Sequence, residues 1–127
     1  MKLAFSTLGC PEYTVKEAVE KAVQYGYAGL SIRTLEGTTD IPNLPDFKSE
    51  MLPQTKSLFE ENRIKLLCLS SGVKFSMPEE EERQAQFDSG VRYTDLAAAL
   101  KVPYVRIFGG AANGSMKDMA PWIDRLA

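Results

Sequence analysis

Arg33 and Arg106 are the residues of this sequence best suited to gripping a ligand. Each lies in or just past a short apolar run, and a guanidinium presents a rigid fork of donors that matches a carboxylate, a phosphate or paired polyol oxygens. Glu36 follows Arg33 closely, and Ser70 with Ser71 closes a third apolar run, Leu66 to Leu69. Arg33, Glu36, Ser70, Ser71 and Arg106 therefore form a candidate substrate-contact set of charges and hydroxyls. No catalytic residue can be named from them, because no nucleophile stands beside a base.

Metal chemistry finds little support in the same residues. The 127 residues contain no histidine and two cysteines. Cys10 and Cys68 are far apart and form no CxxC, which argues against a zinc site made by this chain alone and favours a reducing cytoplasm. Cys68 reads as a small core residue and Cys10 as a loop residue at the mouth. Phe108 and Trp122 read as core rather than as platforms for a sugar ring. The acidic run Glu79 to Glu82 suits the positive end of a helix better than a cation.

Positioning such groups requires elements, and these repeat. Strand-like runs begin near Lys2, Ala28, Ile64 and Pro103, each followed by a helical pattern, the last of which is still open at Ala127. Thr14 and Glu17 make a capping box, after which Val15, Ala18, Val19, Ala22 and Val23 keep the helical period until Gly26 supplies a left-handed stop. Ser49 is the candidate cap of the second helix, with Pro53 near its start, Leu52, Leu58 and Phe59 inward and Asn62 at its end. Pro78 and the glutamates open the third, which runs to about Lys101. Ser115 starts the fourth, with Met116, Met119, Ala120 and Ile123 on one face and Pro121 expected to delay or kink it.

Composition bounds the rest. With 44% hydrophobic and 25% charged residues, the chain suits one domain, 1–127. A formal net charge of -2 with scattered Lys and Arg gives no field for nucleic acid. No apolar stretch approaches the roughly 20 residues of a membrane span. Met1 to Cys10 mimics a short lipoprotein signal, but its apolar run is too short, and it reads as a first strand.

Alternating strands and helices define an α/β fold with a parallel sheet, and polar residues gather at the strand C-termini where such folds bind ligands. Ser6 and Thr7, Arg33 and Thr34, Ser70 and Ser71, and Gly109 and Gly110 all lie there. A doubly wound sheet would carry GxGxxG after its first strand, and Gly9 stands alone. Gly109 to Gly114 has the outer spacing of a GxxxxG phosphate loop, but Ser115 occupies the lysine position. The other architecture is a (β/α)8 barrel, which takes about 250 residues. Four βα units would then be half of one. Period-two alternation would turn Ser31, Arg33, Tyr104, Arg106 and Phe108 inward, and Leu30, Ile32, Val105 and Ile107 toward the helices.

Four segments carry a resemblance: MKLAFSTLGCP at the N-terminus, YGYAGL from Tyr25 to Leu30, Arg33 with Leu35-Glu36-Gly37, and VRIFGG from Val105 to Gly110. Together they resemble the sugar phosphate isomerase/epimerase family of xylose-isomerase-like TIM barrels, over the N-terminal half of that barrel. The resemblance implies a half-barrel whose C-terminal half is absent. It also implies a divalent cation, Mn, Mg, Co or Zn, held by carboxylates and a histidine on strands five to eight. The implied activity is isomerisation or epimerisation of a small carbohydrate, this chain giving substrate contacts and being inactive alone. The family often has glutamate where this sequence has Ser31, which removes an expected partner for an inner arginine.

Alternatives from other classes remain at this level. A noncatalytic sugar-acid binding module is one, and a half-barrel that pairs with a second copy through its bare sheet edges is another. An inosose dehydratase-like lyase and an abasic-site endonuclease are related branches, the latter disfavoured by the lack of histidine.

Overall fold

The computed structural model describes residues 1–109 and 116–127. The GxxxxG spacing of Gly109 to Gly114 and the expected helix start at Ser115 lie, beyond Gly109 itself, outside the described residues. The order is β1 (Ala4–Ser6), α1 (Val15–Gln24), β2 (Gly29–Ile32), α2 (Leu52–Glu61), β3 (Lys65–Lys74), α3 (Glu80–Leu100), β4 (Tyr104–Phe108) and α4 (Met116–Leu126). The strands form one sheet in the order β1-β2-β3-β4, and every neighbouring pair is parallel.

Helix α1 follows from its sequence. The Thr14 Oγ1 accepts from the Glu17 backbone N–H at 3.2 Å, and the Glu17 carboxylate accepts from the Thr14 N–H at 2.8 Å. Those bonds hold the Glu17 carboxyl below its ordinary pKa, the Thr14 backbone bond being the main cause. Val15, Ala18, Val19 and Ala22 are buried as expected, but Val23 is exposed. At about 100° per residue, Val23 stands about 90° round from the centre of that stripe.

Helix α2 departs further from expectation. Met51, not Ser49, takes the cap position, and no side chain caps it. The preceding loop is wound into two 3-10 turns, Ile41–Asn43 and Pro45–Phe47, which deliver the chain at Met51 instead. Phe59 is buried, while Leu52 and Leu58 are only half-buried. Asn62 ends the helix, its amide donating to the Leu58 carbonyl at 2.8 Å.

Tyr93 of α3 pins that loop from below. Its hydroxyl donates to the Thr39 carbonyl and accepts from the Ile41 N–H at 3.4 Å. Burial pushes the phenol above its ordinary pKa. Tyr93→Phe should leave both partners unmet and destabilise the protein by about 1–2 kcal/mol, read as a lower midpoint in urea with unchanged slope.

The helices cover one side of the sheet. Leu30 and Ile32 of β2 and Leu69 of β3 are fully buried with α1, Phe59 and the Tyr93, Leu96 and Ala97 stripe of α3. A smaller cluster joins Val73 and Phe75 to Met119 and Trp122, with Ile107 packed against it. Trp122 is core as expected, but Ile123 is exposed: the inward face of α4 is Met119, Trp122 and Leu126, and the helix continues through Pro121.

Candidate functional site

The other side of the sheet carries the candidate groups. Tyr104 and Arg106 are exposed while Val105 and Ile107 pack toward the helices, so the alternation expected of β4 holds. The same is true of β2, where Ser31 alternates with fully buried Leu30 and Ile32.

Cys68 does not follow the expectation of a core residue. Leu30 pairs with Leu66 but Ser31 pairs with Cys68, so Leu67 is an extra residue at an irregularity in β3. Such an insertion shifts the alternation by one. Leu66 and Leu69 both face the helices, and Cys68 turns to the open side, its Sγ 3.8 Å from the Ser70 Oγ. The Ser70 Oγ also lies 3.3 Å from the Ser31 Oγ.

Arginines from the exit of β2 and from β4 then meet on Phe108. The Arg106 guanidinium lies over its ring at 4.2 Å from the centre, and that of Arg33 at 5.4 Å. The two charges are thus no further apart than the sum of those distances. Phe108 belongs to neither core cluster, contrary to the expectation that it is core. It serves instead as a shared support for two cations, an attraction of about 0.5–1 kcal/mol each at exposed sites.

Arg33 crosses β3 to reach that ring. Its Nη1 donates to the Ser70 carbonyl at 3.0 Å on the way, and Gly72 supplies the space. A Cβ at Gly72 would sit 3.7 Å from Nη1, so a methyl fits but a larger side chain would occupy the guanidinium's place. Upstream, Thr7 fixes where Arg33 begins. Its fully buried Oγ1 accepts from the backbone N–H of Arg33 at 3.0 Å and of Thr34 at 3.2 Å. Gly72 does not stand out in the sequence, and Thr7 does so only as a polar residue at a strand end, because both act through a residue distant along the chain.

The remaining candidates are placed differently. Ser71 is fully buried, its hydroxyl donating to the Arg106 carbonyl at 2.8 Å and accepting from the Val73 N–H at 3.3 Å. It ties β3 to β4 at their register shift and offers nothing to the open side. Glu36 is exposed in a turn with φ 51°, held by its N–H on the Tyr13 carbonyl at 3.0 Å. It forms no ion pair with either arginine. Among the described residues, the side-chain pair within 4.0 Å is Lys16 with Glu20, on the surface of α1. Arg33 and Arg106 are therefore two cations without a carboxylate.

No group of three or more His, Cys, Asp or Glu side chains gathers to hold a metal among the described residues. The described residues therefore offer no donor set that fits the cation implied by the resemblance. Cys10, half-buried in the loop after β1, has its thiol pushed above the ordinary pKa by burial and then by Glu12. A raised folded pKa favours the neutral thiol, so its contribution to stability is present below the unfolded value and lost as pH rises through the folded one. Cys10 should accordingly be alkylated more slowly by iodoacetamide at pH 8 than glutathione is, as peptide mapping would report.

A four-stranded parallel sheet with helices on one side has the form of four βα units of a (β/α)8 barrel. The chain superposes on the crystal structure of the probable 3-DHS dehydratase AsbF, involved in petrobactin synthesis, from Bacillus anthracis, with a TM-score of 0.72 and 18% identity. The match covers 99% of this chain and 46% of that one, so this chain spans less than half of that protein's length. At this identity the likeness is one of fold. No protein-family model and no curated protein matches the sequence. No helix among the described residues is long and apolar enough to cross a membrane.

Proposed function

We propose that this chain is the substrate-holding half of a barrel enzyme that isomerises or epimerises a small, acidic carbohydrate. The observation that carries this reading is the pair Arg33 and Arg106, supported on one aromatic ring at the strand ends and lacking a carboxylate. A carboxylate or phosphate of the ligand supplies the missing countercharge, and two guanidinium forks fix its orientation. The Ser31 hydroxyl, half-buried and 3.3 Å from that of the buried Ser70, can donate to or accept from a neighbouring polyol oxygen. Ser71 drops out of the contact set, its hydroxyl being bonded to the Arg106 carbonyl.

The residues that would hold a divalent cation are those the family resemblance puts on strands five to eight, and such an ion would polarise the sugar carbonyl. This chain by itself is accordingly expected to bind and not to turn over. A dehydratase acting on a similar acid is the second reading, favoured by the name of the AsbF structure. Titration calorimetry with gluconate and with sorbitol tests the shared element. Gluconate should bind and sorbitol should not, with gluconate affinity falling as salt rises; equal affinity for the two would remove the basis of both readings.

A further inference from the structure

A second site lies at the opposite end of the sheet, where the helices finish and the strands begin. A cavity of about 620 Å3 opens between the C-terminal ends of α2 and α3 and the start of β3. Its floor is apolar, with Phe59, Ile64, Leu66 and Leu100, and its rim carries Lys56, Arg63, Lys65 and Lys101 against the single acid Glu60. None of the four cations is in an ion pair within 4.0 Å among the described residues.

Two of those cations occupy positions that the backbone reserves for glycine. Helices α1, α2 and α3 end in the same double hydrogen bond. Gly26 N–H bonds to the Val23 carbonyl and Tyr27 N–H to Ala22; Arg63 bonds to Glu60 and Ile64 to Phe59; Lys101 bonds to Ala98 and Val102 to Ala97. This closure needs one left-handed residue. The first helix uses Gly26, at φ 71°, whereas the other two use Arg63 and Lys101, each at φ 56°. A side chain in that region carries strain that glycine avoids. The double bond that closes each helix is made by backbone N–H groups alone, so this closure does not require the charges. Both strained cations line the same cavity.

We propose that this cavity binds an amphipathic anion, an aliphatic or aromatic body lying on Phe59, Leu66 and Leu100 with its phosphate or carboxylate between Arg63, Lys101, Lys65 and Lys56. Each helix C-terminus contributes about half a negative charge. With Glu60 included, the four cations still leave a positive field at the rim. The site is separate from the arginine pair, which lies at the strand C-termini.

Calorimetry with decyl phosphate below its micelle concentration tests this, with inorganic phosphate and decanol as comparisons. Decyl phosphate should bind at least tenfold more tightly than either. The variant R63G/K101G should keep or raise the melting temperature, since glycine relieves both backbones, and should weaken decyl phosphate at least tenfold. A smaller loss overturns the proposal, as does equal binding of decanol or inorganic phosphate, or no binding heat in the parent protein. Should that variant not fold, R63Q/K101Q should show the same tenfold weakening, and a smaller loss there overturns the proposal equally.

Discussion

Replacing both Arg33 and Arg106 with methionine should abolish binding of a sugar acid while leaving the fold intact. A hydrogen bond to a charged group contributes about 1.5–3 kcal/mol, and each guanidinium can make such bonds to the ligand's acid group. Loss of both therefore predicts a fall of about 100-fold or more in affinity for gluconate. Methionine keeps much of the aliphatic stem, so the support on Phe108 is lost without opening a void. The fold should tolerate the change because neither arginine has an acidic partner to strand. What Arg33 gives up is its bond to the Ser70 carbonyl, on the open side of the sheet. The competing view is that the arginines only brace β2 against β4. It predicts the reverse, a drop in melting temperature of several degrees with gluconate binding untouched. Measuring both on the same preparation separates the two.

Thr7→Val should be the most destabilising single conservative change near the site, at about 2–4 kcal/mol. Valine keeps the volume but removes the oxygen that accepts from the N–H groups of Arg33 and Thr34. Thr7 is fully buried, so water does not replace it, and each orphaned buried donor costs about 1–3 kcal/mol. Thr7→Ser retains the acceptor and should recover most of that loss. Chemical denaturation of the three proteins reads this directly. Because the two N–H groups set the exit of β2, Thr7→Val should also weaken gluconate binding through displacement of Arg33. Equal stability of Thr7→Val and Thr7→Ser would mean that the hydroxyl is not what holds the exit.

Much of this architecture was legible along the chain. Local signals sufficed for α1, where Thr14, Glu17 and Gly26 act on residues three or four away. Alternation sufficed for β2 and β4, since no irregularity interrupts Ser31 to Arg33 or Tyr104 to Phe108. It failed for β3. The extra residue Leu67 turned Cys68 outward, and an insertion of that kind is visible only as a pairing with β2. Ser71 follows the apolar run Leu66 to Leu69 and so looks like a strand-end residue, but β3 continues to Lys74 and the hydroxyl of Ser71 is taken up by the Arg106 carbonyl at the register shift with β4. Phe108 looked like core by composition, and it became a support for two guanidinium groups because Arg33 spans an entire strand to reach it.

By itself the sequence determined the repeated βα units, the side of each regular strand on which its polar residues fall, and the absence of any histidine to ligate a metal. These are properties of spacing and composition, and they survive without knowledge of neighbours. Tertiary structure alone decided that Arg33 and Arg106 meet on one ring, that Gly72 makes room for that meeting, and that Thr7 fixes where it begins. It also brought the left-handed Arg63 and Lys101 to one cavity. The physical reason is the same in each case: strand register and helix closure set distances between residues some 26 to 75 positions apart, and no local preference encodes them.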